Sequence, residues 1–205
     1  MLEHVPRWLG GLLRNVRAGH AGLAIADPMI GEGAGRIELS SPAFGDGARL
    51  PERFTADGAG VSPPLVWGDV PEETLSLALI VEDPDAPAPR PIVHAVVWGL
   101  PPDERRLAEG AIARDGDGGA DGRDVGRNSF FSEGWLPPDP PTGHGPHDYV
   151  FQLFALSEAP VIGRNPRRAD LMTAIAGKVI AAGVLTGTYS RGEERTAGSG
   201  RRATA

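Results

Sequence analysis

Two short segments of the chain contain most of the residues that could do chemistry. The first runs from Asp83 to Pro87 and is followed by His94, and the second runs from Gly143 to Tyr149 and contains His144 and His147. A carboxylate beside an imidazole fixes its tautomer and raises its basicity. Two imidazoles held in this way can donate hydrogen bonds to a phosphate or a carboxylate. These residue types therefore predict a site for a small polar or anionic ligand.

Two predicted strands position the first segment. Residues 75–82 alternate in the manner of a half-buried strand, and Asp83 follows directly. Residues 92–100 are mostly apolar on both faces, which favours a central strand. His94 shares one face of that strand with Val96 and Trp98. A polar side chain in such apolar surroundings needs a partner, and Asp83 is the expected partner of His94.

The rest of the chain predicts a mainly β fold with one helix near its C-terminus. The 29 glycines and 20 prolines are typical of many short strands and turns. Further strands are expected at residues 149–156 and 184–190, with shorter ones at 37–39 and 65–67. The helix is expected to begin at Asn165 as N-cap and to end at Gly183. Its predicted buried stripe consists of Leu171, Met172, Ile175 and Val179.

Both ends of the chain are predicted to lie outside the β domain. Apolar residues from Val5 to Val16 recur at helical spacing and predict an amphipathic helix over residues 5–17. This helix would pack on the main domain or a partner subunit, with a membrane surface as the alternative. The predicted division is residues 1–35 for this helix and a linker, residues 36–190 for the domain, and residues 191–205 for a disordered tail.

Composition excludes several classes of function. A formal net charge of -7 disfavours binding to nucleic acid or an anionic membrane. The absence of cysteine excludes disulfides and thiolate metal sites. Hydrophobic runs stop short of the roughly 20 residues that a bilayer requires, and the first residues do not have the pattern of a signal peptide. A cytoplasmic protein without stable membrane insertion is expected.

Several motifs resemble signatures of the phosphatidylethanolamine-binding protein family, in its bacterial Raf kinase inhibitor-like branch. Asp83 to Pro87 followed by His94 to Trp98 resembles the first signature, and Pro140 to Tyr149 resembles the second. The resemblance covers residues 36–190 in the same order and spacing. Shorter matching segments are Ser40 to Phe44, Asp57 to Gly58, Val61 to Trp67 and Gly187 to Tyr189.

The resemblance implies a β-sandwich with a small surface pocket that holds phosphate, phosphoethanolamine or acetate. It also implies a homodimer and allows regulation through a protein partner, and it implies no cofactor. Carried over by motif, the expected ligand-binding residues are Asp83, Pro84, His94, Pro141, His147 and Tyr149.

One stretch departs from the family pattern in a way that predicts weaker anion binding. Pro137, Pro138 and Asp139 stand where family members usually have glycines before the paired prolines. Proline has no N–H to donate, and Asp139 adds a negative charge. Each lost donor or added like charge could remove roughly 1–3 kcal/mol of binding free energy.

The sequence leaves open whether the site binds, catalyses or is vestigial. Asp83 with His94 or His147 could perform acid–base chemistry on a small metabolite, and an interaction protein with a vestigial pocket is the third hypothesis. No H-x-H or H-E-x-x-H spacing supports a metal site. Of the neighbouring residues, Asp85 is expected to form a turn, His144 to be an exposed loop residue, and Trp135 to lie at the pocket rim or an interface.

Overall fold

The computed structural model describes residues 11, 13, 15–31, 33–115 and 124–192. Most of the predicted helix over residues 5–17, and the predicted tail from residue 193 onward, lie outside these described residues. The strands are β1 (Gly35–Arg36), β2 (Leu39–Ser40), β3 (Leu65–Trp67), β4 (Ser76–Asp83), β5 (Ile92–Leu100), β6 (Arg106–Leu107), β7 (Asp124–Val125), β8 (His147–Leu156) and β9 (Val179–Tyr189). The α-helices are α1 (Pro28–Gly31) and α2 (Arg168–Ile175), with single 3-10 turns at His20–Gly22, Ala24–Ala26 and Glu52–Phe54.

The strands form two sheets, and the prediction of a mainly β fold with a C-terminal helix is confirmed. Within the described residues, the larger sheet has six strands in the order β1-β9-β8-β4-β5-β7, and the smaller sheet has the order β2-β3-β6. The long strands β9, β8, β4 and β5 pair in antiparallel fashion with one another, whereas β1 runs parallel to β9. Alternating apolar residues on these long strands provide two buried faces.

Strand β4 lies at the centre of the large sheet and separates two apolar cores. Leu77 and Leu79 belong to the core on the side of the small sheet, and Ala78 and Ile80 belong to the core on the opposite side. The expected half-buried strand is therefore wrong, because all eight residues of β4 are buried. Leu75, the first residue of the predicted strand, is outside β4 and exposed.

The predicted linker packs against the second face of the large sheet over part of its length. Ala24 and Ile30 are buried in the second core. The Ala24 N–H donates to Glu82 Oε2 and the Ile25 N–H donates to Gln152 Oε1, each at 2.8 Å. This segment therefore covers the buried carboxylate of Glu82, which needs such donors in a low-dielectric interior.

Helix α2 is shorter than the sequence predicts. Leu171, Met172 and Ile175 are buried as expected, but Val179 belongs to β9. The predicted N-cap is wrong because Asn165 has a φ of 53° and Arg167 occupies the N-cap position. Gly183 lies inside β9, where a Cβ would be 2.7 Å from the carbonyl oxygen of Ile37. A close backbone approach, and not a helix end, therefore requires this glycine.

The helices of the described residues are short. Helix α2 has eight residues, and within the part of the chain that the structure covers no helix is long and apolar enough to cross a membrane. The cytoplasmic location stays a prediction.

Candidate functional site

The two chemically promising segments meet at one end of the large sheet. Asp83 is the last residue of β4, His147 is the first residue of β8, and His94 is near the start of β5. Because β4 is antiparallel to both neighbours, its C-terminal end lies beside the N-terminal ends of β5 and β8. The strand pairing thus brings a carboxylate and two imidazoles together from positions 11 to 64 residues apart in the sequence.

Asp83 is bonded to His147, and the expected partnership with His94 is wrong. His147 Nδ1 lies 2.8 Å from Asp83 Oδ2, and both side chains are buried. The other carboxylate oxygen accepts the backbone N–H groups of Asp85 and Ala86 at 2.8 and 3.0 Å. Asp83 itself therefore stabilises the turn after β4, a role that the sequence predicted for Asp85.

His94 is fixed by the segment that crosses above it. His94 Nδ1 lies 2.7 Å from the carbonyl oxygen of Leu136, so Nδ1 carries the hydrogen and donates. Burial lowers the pKa of His94, although the charge of Asp83 opposes this effect. The ring is therefore neutral at pH 7, and its Nε2 is a hydrogen-bond acceptor. This Nε2 is buried and has no hydrogen-bond partner among the described residues.

His144 is buried inside the site, so the expectation of an exposed loop residue is wrong. Gly143 and Gly145 have φ values of 83° and 104°, in the region that favours glycine. These two glycines turn the loop back so that His144 Nδ1 lies 2.7 Å from His147 Nε2. His144 Nε2 lies 2.8 Å from the carbonyl oxygen of Leu13, which joins the N-terminal segment to the site.

The hydrogen bonds determine how many protons the Asp83, His147 and His144 side chains hold. The Leu13 carbonyl can only accept, so His144 Nε2 carries a hydrogen. One further hydrogen lies between the two rings and one between His147 and Asp83. Two neutral imidazoles supply only two N–H groups, so the third hydrogen is shared within the Asp83–His147 pair.

His144 receives a hydrogen bond from His147. Burial lowers the pKa of His144, and the neighbouring charge of His147 lowers it further. Neutral His144 therefore accepts through Nδ1 from His147 Nε2, while His147 Nδ1 is bonded to Asp83. Both ring nitrogens of His147 are engaged within the protein, so this side chain does not supply the ligand donor that the sequence predicts.

A cleft of about 300 Å³ opens beside these residues. Tyr149 lies in its wall, 5.0 Å from His94 between ring centroids, and its buried hydroxyl has no hydrogen-bond partner among the described residues. Burial raises the pKa of Tyr149 well above its ordinary value, so the hydroxyl stays protonated and can donate. Five of the six predicted residues line the cleft, namely Asp83, His94, Pro141, His147 and Tyr149.

Pro84 is the predicted residue that does not line the cleft. Its carbonyl oxygen accepts the backbone N–H of Gly19 at 2.7 Å. The neighbouring Ala86 carbonyl accepts from Ala18 at 3.0 Å. Pro84 thus contributes to holding the N-terminal segment along the edge of the site.

Arg191 offsets part of the negative charge of Asp139. Asp139 lines the cleft and forms an ion pair with Arg191, which also contacts Asp57. The Arg191 guanidinium lowers the pKa of Asp57. The two carboxylates raise the pKa of Arg191 despite the opposing effect of burial. Asp139 was predicted to add a negative charge to the site, and Arg191 offsets this charge only in part because it is shared with Asp57.

Asp85 is also paired with a cation. Its side chain is bonded to the Arg17 guanidinium and accepts the backbone N–H of Asp148 at 2.7 Å. Arg17 also donates to the carbonyl oxygen of Pro146 at 3.1 Å. Asp85 therefore joins the N-terminal segment to the loop before β8.

Aromatic residues near the cleft have different roles from those predicted. Trp135 packs against the core, stacked on Phe151 with ring centroids 6.0 Å apart, and its Nε1 donates to the Phe54 carbonyl. It therefore supports His94 from behind and does not form the rim. Phe130 lines the cleft and is 52% exposed. This residue was not predicted, although two adjacent phenylalanines in a polar loop are an available signal for a binding surface.

Comparisons with known proteins agree with this architecture. Residues 40–190 match the family model for phosphatidylethanolamine-binding protein. A UPF0098 protein of Methanothermobacter thermautotrophicus is 38% identical over 156 residues, covering 76% of this chain and 100% of that protein. A UPF0098 protein of Aquifex aeolicus is 36% identical, covering 89% and 99%.

Two crystal structures show the same fold. A phosphatidylethanolamine-binding protein homologue from Chlamydia trachomatis has a TM-score of 0.68 at 34% identity, covering 77% of this chain and 99% of that one. Escherichia coli YbcL has a TM-score of 0.69 at 30% identity, covering 76% and 98%.

Proposed function

Because this chain belongs to the phosphatidylethanolamine-binding protein family, we propose that the cleft beside His94 and Tyr149 reversibly binds a small ligand with a phosphate or other oxyacid headgroup. Phosphate and phosphoethanolamine are the first candidates. The family gives the ligand class, and the geometry of the cleft gives the residues that would recognise it.

Two buried polar atoms without partners are the observation that supports this proposal. His94 Nε2 and the Tyr149 hydroxyl have no hydrogen-bond partner within the described part of the chain. Their side chains line the same cleft. Leaving a buried polar group unpaired costs about 1–3 kcal/mol. A ligand that bonds to both atoms recovers this cost, which gives the cleft a preference for a polar group.

The acceptor character of His94 restricts the protonation state of the ligand. Neutral His94 accepts through Nε2, whereas Tyr149 donates through its hydroxyl. A monoprotonated oxyacid satisfies both atoms, because its OH donates to His94 and an unprotonated oxygen accepts from Tyr149. A fully ionised headgroup would instead require protonation of His94, against the burial that lowers the pKa of this ring.

The rest of the cleft wall suits a carbon skeleton. Ile92, Phe130 and Pro137 line it, and the two carboxylates in the lining are paired with His147 and Arg191. Ligand sites of this kind combine an apolar wall with a few polar atoms that set orientation. An organic phosphate or carboxylic acid therefore suits the cleft better than a bare ion.

Titration calorimetry of phosphate and phosphoethanolamine tests the proposal. Tyr149→Phe should weaken binding roughly tenfold, since it removes one hydrogen bond to a charged group. Tyr189→Phe is the matched control, because Tyr189 bonds to Asp57 and does not line the cleft. The absence of heat with the unmodified protein at millimolar ligand, or equal effects of both variants, would contradict the proposal.

Lowering the pH should strengthen binding of a ligand that is fully ionised at neutral pH. As the pH falls, both the monoprotonated ligand and protonated His94 become more populated. The affinity of phosphoethanolamine should therefore rise as the pH falls from about 8 to about 6. The rise should be about as large as the increase in the monoprotonated fraction of the ligand. Titrations of His94→Gln over the same range provide the comparison. An affinity that rises with pH would contradict this assignment of donor and acceptor.

The homodimer and a protein partner stay predictions from the family resemblance. Sedimentation velocity across a range of protein concentrations tests the first. A single monomeric species at all concentrations would contradict it.

A further inference from the structure

A second cleft, which we call the arginine cleft, lies on the opposite face of the same sheet end. Its volume is about 520 Å³, in the range of small-molecule sites. Successive side chains of a strand point to opposite faces. Asp83, Ile92 and His94 thus line the first cleft, whereas Glu82, Pro91 and Val93 line the arginine cleft.

Three guanidinium groups in this cleft have no carboxylate partner among the described residues. Arg90, Arg127 and Arg167 line it, and none of them forms an ion pair with another residue of the described part. Glu82 supplies the one carboxylate among the described lining residues; it is bonded to Arg168 at 2.6 Å and also accepts from Gln152 and Ala24. The negative charge in the cleft is therefore already compensated by Arg168, and the other three arginines leave an excess of positive charge.

This local excess contrasts with the charge of the whole chain. The formal net charge is -7, so simple composition gives no reason for three such cations around one cavity. Like charges gathered in a cleft repel one another and focus a positive potential within it. An anion that binds there relieves the repulsion and forms charge-assisted hydrogen bonds with the planar guanidinium groups.

Phe131 adds a strained aromatic wall. Its φ of 61° is in the left-handed region, which non-glycine residues seldom adopt. The conformation places Phe131 in the lining of the arginine cleft, while the preceding Phe130 lines the first cleft. The Arg167 guanidinium stacks 4.5 Å from the Phe131 ring centroid. Strain of this kind persists where surrounding contacts enforce it, and it is concentrated at functional sites.

The first turn of α2 forms another part of the wall. Arg167, Arg168 and Ala169 line the cleft, so the positive end of the helix dipole faces it. Asp170 opposes this effect nearby, but its carboxylate accepts the Arg167 N–H at 2.8 Å and it is not among the lining residues.

We propose that the arginine cleft is a binding site for a small metabolite with two phosphoryl groups, such as an organic diphosphate. Three guanidinium groups match the three or four negative charges of a diphosphate better than the one or two of a single phosphate. The exposed ring of Phe131 and residues 89–91 offer a surface for the organic part. This site is separate from the cleft of His94 and does not depend on the function proposed for it.

Titration calorimetry with inorganic pyrophosphate tests this proposal. We expect pyrophosphate to bind at least tenfold more tightly than orthophosphate, and the double variant Arg90→Ala/Arg127→Ala to weaken it roughly a hundredfold. Arg90→Ala alone should weaken it about tenfold, and since Arg90 is exposed in a loop this variant should fold normally. Thermal unfolding of each variant confirms that it is folded.

Two controls distinguish binding in the arginine cleft from a general effect of net charge and from binding in the first cleft. Arg36→Ala changes the net charge by the same amount as Arg90→Ala. Arg36 lies on β1, at the opposite edge of the sheet, so this variant should leave the affinity for pyrophosphate unchanged. His94→Ala removes a polar group of the first cleft and should leave the tight pyrophosphate site unchanged, because only a weaker binding event in the first cleft depends on His94. No binding by the unmodified protein, an equal loss in Arg36→Ala, or loss of the tight site in His94→Ala would overturn the proposal.

Discussion

The two clefts share strands β4 and β5 but differ in how their charges are used. In the cleft of His94, the lining carboxylates of Asp83 and Asp139 are paired with His147 and Arg191. In the arginine cleft, three guanidinium groups have no carboxylate partner within the described residues. Side chains on alternate positions of the same strands therefore produce one site that recognises a ligand through unpaired neutral groups, and another that attracts it through charge.

This difference separates charges that hold the fold together from charges that are available to a ligand. Removing one member of a buried, paired group leaves the other uncompensated, which is costly. Removing an exposed, unpaired cation leaves nothing uncompensated and relieves repulsion. The comparison therefore predicts large stability effects in the first cleft and small ones in the second.

The largest effect is expected for Asp83→Asn. The substitution removes the carboxylate from the buried Asp83–His147 pair, so the free energy of unfolding should fall by about 3–5 kcal/mol. The control is Asp148→Asn. The Asp148 carboxylate lies 3.4 Å from exposed His20, so its loss should lower the free energy of unfolding by less than about 1 kcal/mol. Urea denaturation measures both, and similar losses for the two variants would contradict the proton count for Asp83, His147 and His144.

Two tyrosine variants should change stability in opposite directions. Tyr189→Phe removes a hydrogen bond of 2.7 Å to Asp57 and should lower the free energy of unfolding by about 1.5–3 kcal/mol. Tyr149→Phe removes a buried hydroxyl without a partner in the described structure and should raise it by about 1 kcal/mol in the absence of ligand. Denaturation of both variants in phosphate-free buffer measures this, and destabilisation by Tyr149→Phe would show that its hydroxyl is satisfied.

Acidification should produce a smaller loss of stability. The pKa values of His94 and His144 are lowered by burial from the ordinary 6.5, although nearby acceptors offset part of the effect. Just below pH 6.5 the unfolded chain therefore binds more protons than the folded chain. The free energy of unfolding consequently falls as the pH is lowered through this range. Well above pH 6.5 these two histidines do not change the free energy of unfolding. His94→Gln should make the decline less steep in denaturation curves measured from about pH 7.5 to about pH 5; an unchanged slope would argue against a buried, neutral His94.

The smallest effect is expected in the arginine cleft. Arg90→Gln removes an exposed cation that has no ion pair with a described residue, so the free energy of unfolding should change by no more than about 0.5 kcal/mol. The same denaturation assay measures it. A loss comparable to that of Asp83→Asn would show that the arginine cleft, like the first, uses its charges for folding.

The strands were largely predictable because alternation is a local property. Residues 92–100 form β5 as predicted, and 149–156 form most of β8. The prediction of the C-terminal helix end was wrong, because a glycine can mark either a helix end or a close approach of two strands. Gly183 resembles a helix end, but it lies in β9 because the Ile37 backbone approaches it closely.

The site was only partly predictable, because the motifs identify its residues but do not specify the hydrogen bonds between them. Signature motifs identified Asp83, His94 and His147, and strand pairing explains why they meet. The His-x-x-His spacing of His144 and His147, with glycines on both sides of His144, was an available signal that the prediction of an exposed loop residue ignored. The partnership of Asp83 with His147 depends on side-chain directions at the strand ends, which the motifs do not specify.

By itself, the sequence determined the β character of the chain, its family and the residues at the ends of its central strands. Only the tertiary structure decided which nitrogen of each histidine is engaged, that Arg191 pairs with Asp139, and that arginines from positions 90, 127 and 167 surround one cavity. The reason is range: alternation and turns depend on neighbours within a few residues, whereas these polar groups, apart from the His144–His147 pair, have partners between 42 and 131 residues away.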